Sequence, residues 1–254
     1  MPTPLQPVSI ESVYENKAGA RIPLPKRMAV APPDVVAALA GLEADLANAG
    51  GKLALSDLFR SYDMQLASYM DYKSGKKTAF SPPPGGSLHE GGRAIDLSLD
   101  DLNMPLKKFW PIAAKRGFTP IISTPDSGAS ESWHFELRGS HTLVYAYYKA
   151  GKAKNFDSPY KAMAASAIVS AGVKVDAFTN QLGAYIQSGL IRLGHDPKGL
   201  DGGIGPNTRK ALTQAGIEDA DLDQLVAAVD AKLQAKFPQE FFASKIFPGD
   251  EAFS

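Results

Sequence analysis

The sequence changes character near residue 150, and no other feature does more to limit what it can fold into. Before that point short apolar runs are broken repeatedly by Gly and Pro. After it come alanine-rich stretches at helical spacing, interrupted by one glycine-dense segment, GHDPKGLDGGIGPNTRKAL. Strands mixed with helices in the first part and helices alone in the second predict an α+β domain followed by a small all-α domain. The first would hold a small antiparallel sheet with flanking helices. A chain of 254 residues is long enough for both. The pattern divides into an N-terminal arm at 1–30, a first domain at 31–150, a linker at 151–165 and a helical domain at 166–254. The linker reading rests on the polar, turn-rich run YYKAGKAKNFDSP.

Local signals give the elements. Pro33 opens a helix in which Val36, Leu39, Leu42 and Leu46 recur at helical spacing, and Gly50 closes it. Lys52–Leu55 reads as a strand and Ser61–Tyr72 as a second helix. Ser81-Pro82-Pro83-Pro84-Gly85-Gly86 cannot be regular structure. Arg93–Leu99, Thr119–Ser123 and Trp133–Leu137 read as strands, and Leu102–Arg116 as a helix with Pro105 in its first turn. Phe109 and Trp110 would pack that helix on the sheet. A further helix is expected over Asp223–Ala235.

Composition excludes several chemistries. The formal net charge is zero, which argues against nucleic acid as a partner. Cysteine is absent, so there is no disulfide, no thiol nucleophile and no thiolate-bound metal. No apolar run is long enough to span a bilayer, and no signal segment is visible at the N-terminus.

Two polar clusters carry the chemistry. There are four histidines, and two of them lie in SLHEGGRAIDL and ESWHFEL. A hydrolytic zinc site needs three protein ligands, an open position and a nearby carboxylate. His89, Asp96 and His134 supply three ligand types, and Glu131 supplies a base. On a strand over Arg93–Leu99, Ala94, Asp96 and Ser98 share one face. On a strand over Trp133–Leu137, His134 and Glu136 point one way, and Trp133, Phe135 and Leu137 point into the core. Gly91-Gly92 would fold His89 back toward Asp96. Spacing leaves a second reading open, in which His89 and Asp96 form an ordinary structural pair, His134 is a satisfied strand histidine and Glu131 a solvated loop carboxylate. Glu136 and His141 read as groups supporting the ligands or as structural residues, Glu90 and Arg93 as cleft rim, and His195 as surface.

Ser87-x-His89-x-x-Gly92-x-Ala94-x-Asp96 resembles the S-x-H-x-x-G-x-A-x-D signature of the VanY-like D-alanyl-D-alanine carboxypeptidases, peptidase family M15. Glu131-Ser132-Trp133-His134 resembles the E-x-W-H element of the same family. A third element, LALSDLFRSYDMQ, is similar to its S-x-x-R-S-x-x-x-Q, with Ser56 displaced by one residue. The resemblance covers roughly residues 35 to 148. It implies zinc held by His89, Asp96 and His134, with Glu131 as base. Arg60 would face the substrate or the developing oxyanion, and Gln65 would be a supporting polar residue of the substrate site; Ser87 reads as a substrate contact or as a turn-capping serine. Residues 182–212 resemble a three-helix peptidoglycan-binding domain through Ile186, Gln187, Leu190, Leu193, Gly194, Asp201-Gly202-Gly203-Ile204-Gly205-Pro206, Thr208, Ala211 and Leu212. The family's aromatic ending is replaced by Thr213-Gln214-Ala215-Gly216. A helical buttress for the first domain is the other reading.

Together the resemblances imply a monomeric zinc peptidase that acts on peptidoglycan or its peptides and removes terminal D-alanine. They place its action at the cell wall, reached by export or by phage delivery. The alternatives are an endolysin-like endopeptidase, for instance one cutting L-alanyl-D-glutamate, and a non-catalytic peptidoglycan-binding protein. A fragment ending near Asp157 is expected to keep hydrolysis of small peptides.

Overall fold

The computed structural model describes residues 3–153 and 155–242. The proline-rich first segment holds β1 (Gln6–Pro7), β2 (Glu11–Glu15), β3 (Arg21–Pro23) and β4 (Val30–Ala31). Then come α1 (Pro33–Asn48), β5 (Leu55–Asp57), α2 (Tyr62–Lys73), β6 (Ala94–Leu97), α3 (Leu106–Lys115), β7 (Thr119–Pro120) and β8 (His134–Glu136). The remainder is helical: α4 (Thr142–Lys149), α5 (Pro159–Ser170), α6 (Gln181–Leu193), α7 (Pro206–Gln214) and α8 (Leu222–Lys236). The α+β part followed by an all-α part is therefore present.

The main sheet has six strands in the order β3-β2-β5-β6-β8-β7. Its ladders are antiparallel except β2 with β5. The arm is thus more than a wrapping segment, because β2 and β3 form a hairpin that extends the sheet. Proline hid this: Pro23 sits on the edge strand β3, where a missing N–H costs no ladder bond.

One face of the sheet packs on α1 and α3. Val35, Leu39, Leu42 and Leu46 of α1 meet Phe109 and Ala113 of α3, with Ile95, Leu97 and Phe135 beneath. Phe109 and Phe135 form an edge-to-face pair with centroids 4.9 Å apart. Helix α3 starts later than its pattern suggests. Pro105 is its N-cap and cannot continue a helix backward, and Asn103 takes a left-handed backbone, φ 55.

The second core shows how the two parts join. Leu88 and Ala94 from the sheet side share one buried cluster with Ala162 to Val169 of α5, Ile186 and Leu190 of α6, and Val229 and Leu233 of α8. Helix α5 is buried from Ala162 through Ser170, so it is apolar all round and runs through the middle of the molecule. The linker assigned to 151–165 therefore overlaps this helix from Pro159 onward. Ser158, whose hydroxyl accepts from Lys161 N–H, and Pro159 at the first helical position are ordinary helix-start signals inside a polar run.

Buried charges cross the same junction. Arg93 pairs with Asp34 at 2.8 Å and lies 3.7 Å from Glu240, and Arg192 donates to Glu240 at 2.6 Å. Arg93 is 1 % exposed, so it is a strut and not a cleft-rim residue. The glycine-dense segment after α6 is also knitted internally. The Gln187 amide donates to Asp201 and to the Gly203 carbonyl, and accepts from the Asp201 and Gly202 N–H groups. Gly202, at φ 87, leaves no room for a Cβ, which would stand 2.6 Å from the Asn180 carbonyl oxygen.

Candidate metal centre

Strand register brings the two polar clusters together. Asp96 on β6 is the ladder partner of His134 on β8, and Ala94 is the partner of Glu136. Opposed residues in an antiparallel pair share a face. Asp96, His134 and Glu136 are therefore on one face, and Ile95 and Phe135 enter the core on the other. Trp133 departs from the expected pattern. The strand begins one residue later, and Trp133 lies half-buried on the wall of a cavity while its carbonyl accepts from Leu97 N–H.

His89 arrives from a different direction. It sits in a 3-10 turn, Leu88–Gly91, that Ser87 and Glu90 close as a capping box. Gly92 ends the turn at φ 65, and a Cβ there would stand 3.1 Å from Pro32. Both the backbone angle and the close approach require glycine at this position. Glu90 is thus a fully buried cap and not a rim residue. Burial pushes its carboxyl up to about 7, although the backbone N–H groups of Gly85 and Ser87 pull the other way. Ser87 lines the cavity, but its hydroxyl already accepts from the His89 N–H at 3.3 Å.

The three ligand candidates converge. One donor atom each from His89, Asp96 and His134 lies within 4.8 Å of the others. His89 Nδ1 is 2.8 Å from the Leu58 carbonyl, which fixes the proton there and presents Nε2 as an acceptor. That Nε2 is buried and has no hydrogen-bond partner, although Asp96 Oδ1 is 3.3 Å away. A buried acceptor without a donor is costly unless something else occupies it. His134 Nδ1 is 2.9 Å from the same Asp96 oxygen, and His134 Nε2 is 3.3 Å from Glu136 Oε1.

The carboxylates of Asp96 and Glu136 beside His134 favour positive charge at this point. The His134 imidazole is pushed up to about 10: burial alone would lower it, but hydrogen bonds to Asp96 and Glu136 outweigh burial. Burial pushes the Asp96 carboxyl up, yet the two imidazoles hold it well below the usual carboxylate range. Two imidazole nitrogens and a carboxylate, with no thiolate, suit zinc in a catalytic arrangement with an open position.

The remaining residues surround a cavity of about 470 Å³ onto which all three ligand candidates open. Glu131 lies on its wall with a left-handed backbone, φ 65, which is rare for a residue with a side chain. Burial raises its carboxyl and the neighbouring His134 opposes that. Arg60 also lines the cavity. Its guanidinium donates to Asp57 at 2.6 Å, to Gln65 at 3.1 Å and to Asp96 at 3.4 Å. Gln65, read from sequence as a supporting residue of the substrate site, is fully buried behind Arg60. Its amide donates to the Ser81 hydroxyl and the Pro82 carbonyl, so it holds Arg60 against the proline loop. His141 is removed from the centre and buried, with Nδ1 2.8 Å from the Ser166 hydroxyl. Burial keeps its pKa well below the ordinary value.

The sequence reading missed Asp57, Lys77, Ser158, Tyr160 and Lys161, which also line the cavity. Asp57 ends β5 and pairs with Arg60 in the loop that follows, a contact set by the loop and not by helical spacing. The last three belong to the stretch assigned to the 151–165 linker, and only the fold brings them here.

No protein-family model and no curated protein matches the chain. Among solved structures, it is similar to the LdcB LD-carboxypeptidase, whose structure is described as revealing the molecular basis of peptidoglycan recognition. The identity is 21%, the match covers 53% of this chain and 68% of that one, and the TM-score is 0.41. That likeness is too loose to assign any residue of this chain.

Proposed function

We propose that this chain is a zinc-dependent peptidase acting on peptidoglycan stem peptides, and that it removes terminal D-alanine. The observation that carries the metal reading is the unpartnered His89 Nε2, aimed at Asp96 and His134 in the floor of a cavity. The substrate class is supported by the signature residues Ser87, His89, Gly92, Ala94 and Asp96 and by Glu131, Trp133 and His134. His89, Asp96 and His134 would hold the ion. Bound there, zinc supplies Lewis acidity, which strengthens water as a nucleophile near neutral pH and polarises a carbonyl. Glu131, on the wall of the same cavity, takes a proton from water and returns it to the leaving amine. Arg60 points fixed N–H groups at the oxygen on which charge develops. The helical half would hold the enzyme near the wall, and cell-wall action would need export or phage delivery.

The test is mass spectrometry of defined muropeptides incubated with the purified chain, with and without added zinc. One set carries a free terminal carboxylate and a matched set carries an amide. Release of D-alanine from the free-acid pentapeptide, lost on chelation and lost in His89→Ala and Asp96→Ala, is the expected result. Fragments larger than D-alanine, or equal cleavage of the amide, would move the reading to an endopeptidase. Full activity after exhaustive metal depletion would remove the zinc reading.

A further inference from the structure

Helix α5 enters the site at its first turn. Tyr160 lines the cavity, and its hydroxyl donates to Glu136 Oε1 at 2.6 Å. The same Glu136 oxygen lies 3.3 Å from His134 Nε2, and the other carboxylate oxygen accepts from Arg138 Nε at 2.7 Å. Glu136 is fully buried, whereas Arg138 is about one-third exposed. A chain of contacts therefore runs from Tyr160 through Glu136 to the imidazole whose Nδ1 faces the metal cluster.

The chemistry gives that chain a direction. For His134 to offer Nδ1 as a ligand, its proton must sit on Nε2, and a carboxylate acceptor opposite Nε2 selects that tautomer. Glu136 does this only if its carboxylate is held in the right plane. Arg138 fixes one oxygen from a partly solvated position. Tyr160 fixes the other from inside the protein. The phenol is suited to the task, because burial and the charge of Glu136 keep it protonated and therefore a donor.

We propose that Tyr160 is a positioning residue of the metal centre, acting through Glu136 on the His134 imidazole, so that the first turn of α5 is part of the site. The proposal rests on the metal reading given above. It gives the helical half a role beyond attachment to the wall, because the helix that supplies Tyr160 is also the core of that half. A tyrosine that only packed would lose little on becoming phenylalanine, since the ring is kept. A tyrosine that orients Glu136 would lose its effect with the hydroxyl alone.

The experiment uses full-length wild type, Tyr160→Phe, Glu136→Gln and the double variant. Zinc affinity is read by chelator competition, and cobalt is substituted for zinc to read the visible spectrum of the site. Thermal melting checks that Tyr160→Phe still folds. The expected result is a loss of zinc affinity of about 10-fold or more in Tyr160→Phe, the scale seen when a group behind a metal ligand is removed. The cobalt bands should shift, kcat should fall with KM little changed, and melting should stay close to wild type. In the Glu136→Gln background, Tyr160→Phe should add little, because its target is already altered. Wild-type affinity and an unchanged cobalt spectrum in Tyr160→Phe would overturn the proposal, as would full additivity with Glu136→Gln. A wild-type chain that bound neither zinc nor cobalt would overturn the metal reading as well, which separates the two failures.

Discussion

Cutting the chain after Asp157 should unfold the sheet half, not release a working catalytic domain. The expectation follows from what the helices cover. Leu88, Ala94 and Val144 have no exposed surface, Tyr147 is 9% exposed, and all four belong to the cluster built on α5, α6 and α8. Uncovering Leu88 and Val144 costs about 1.5–3 kcal/mol each, or about 3–6 kcal/mol together, before Ala94 and Tyr147 are counted. The cut also removes Glu240 from Arg93 and Tyr160 from Glu136. A typical domain has only about 5–15 kcal/mol of stability, so losses of this size remove a large share of it. Full-length protein and fragment 1–157 would be compared by circular-dichroism melting, by zinc binding and on a small soluble peptide. The fragment should show no cooperative transition and weak metal binding. Cooperative melting within a few degrees of the full chain, with undiminished peptide hydrolysis, would refute the reasoning and restore a detachable catalytic half.

Two further predictions test single residues. Glu131→Gln should bind zinc almost as wild type does while losing roughly 10²-fold in turnover, because only proton transfer is removed; loss of the metal instead would make Glu131 a ligand. Glu240→Gln should cost about 3–5 kcal/mol at neutral pH, since it leaves the buried Arg93 and Arg192 short of a counter-charge. Burial pushes the Glu240 carboxyl up, but Arg93 and Arg192 outweigh it and hold it below its usual value. Its contribution is therefore complete above the ordinary carboxylate pKa and fades as pH falls through the lower folded value. The melting difference between wild type and Glu240→Gln should narrow below about pH 4, and a difference independent of pH would sink the assignment.

The grouping of His89, Asp96 and His134 was legible because each sits on a pattern readable from its neighbours. Asp96 and His134 lie on strands of period two, so a face can be read from the sequence, and the register then sets them opposite each other. Gly92 announced the turn that carries His89, and it does take a left-handed backbone. Three features were not legible, each for a physical reason. The β2–β3 hairpin lies in a proline-rich segment and ends on Pro23, which argues against a strand until the edge position is known. Trp133 alternates correctly for a core residue, but the strand starts at His134, so the alternation does not extend back to it. Tyr160 sits in a sequence with the polar composition of a loop, and its place in the cavity depends on how α5 packs on the turn holding His89. The Gly91 Cα leaves so little room there that a Cβ would stand 3.0 Å from the Ala167 Cβ.

Arg60 bears most on which bond is cut. A guanidinium has five N–H donors, and in Arg60 three are committed to Asp57, Gln65 and Asp96. Gln65 is in turn held by Ser81 and Pro82, so the fork cannot swing. Two carboxylates beside it offset its charge, which weakens it as a distant attractor for a free substrate carboxylate. They also fix it in advance, and fixed N–H donors are what a developing oxyanion requires. The cationic groups on the cavity wall with fewer constraints are Lys77, which reaches the Ser68 hydroxyl at 3.0 Å, and Lys161, which pairs with Asp157 at 2.6 Å. Lys161 can exchange Asp157 for a substrate carboxylate at small cost, because exposed ion pairs contribute little, and Lys77 would give up only a neutral hydroxyl. If the chain is the peptidase proposed above, terminal-carboxylate recognition would fall to Lys77 and Lys161, and Arg60 would serve the oxyanion.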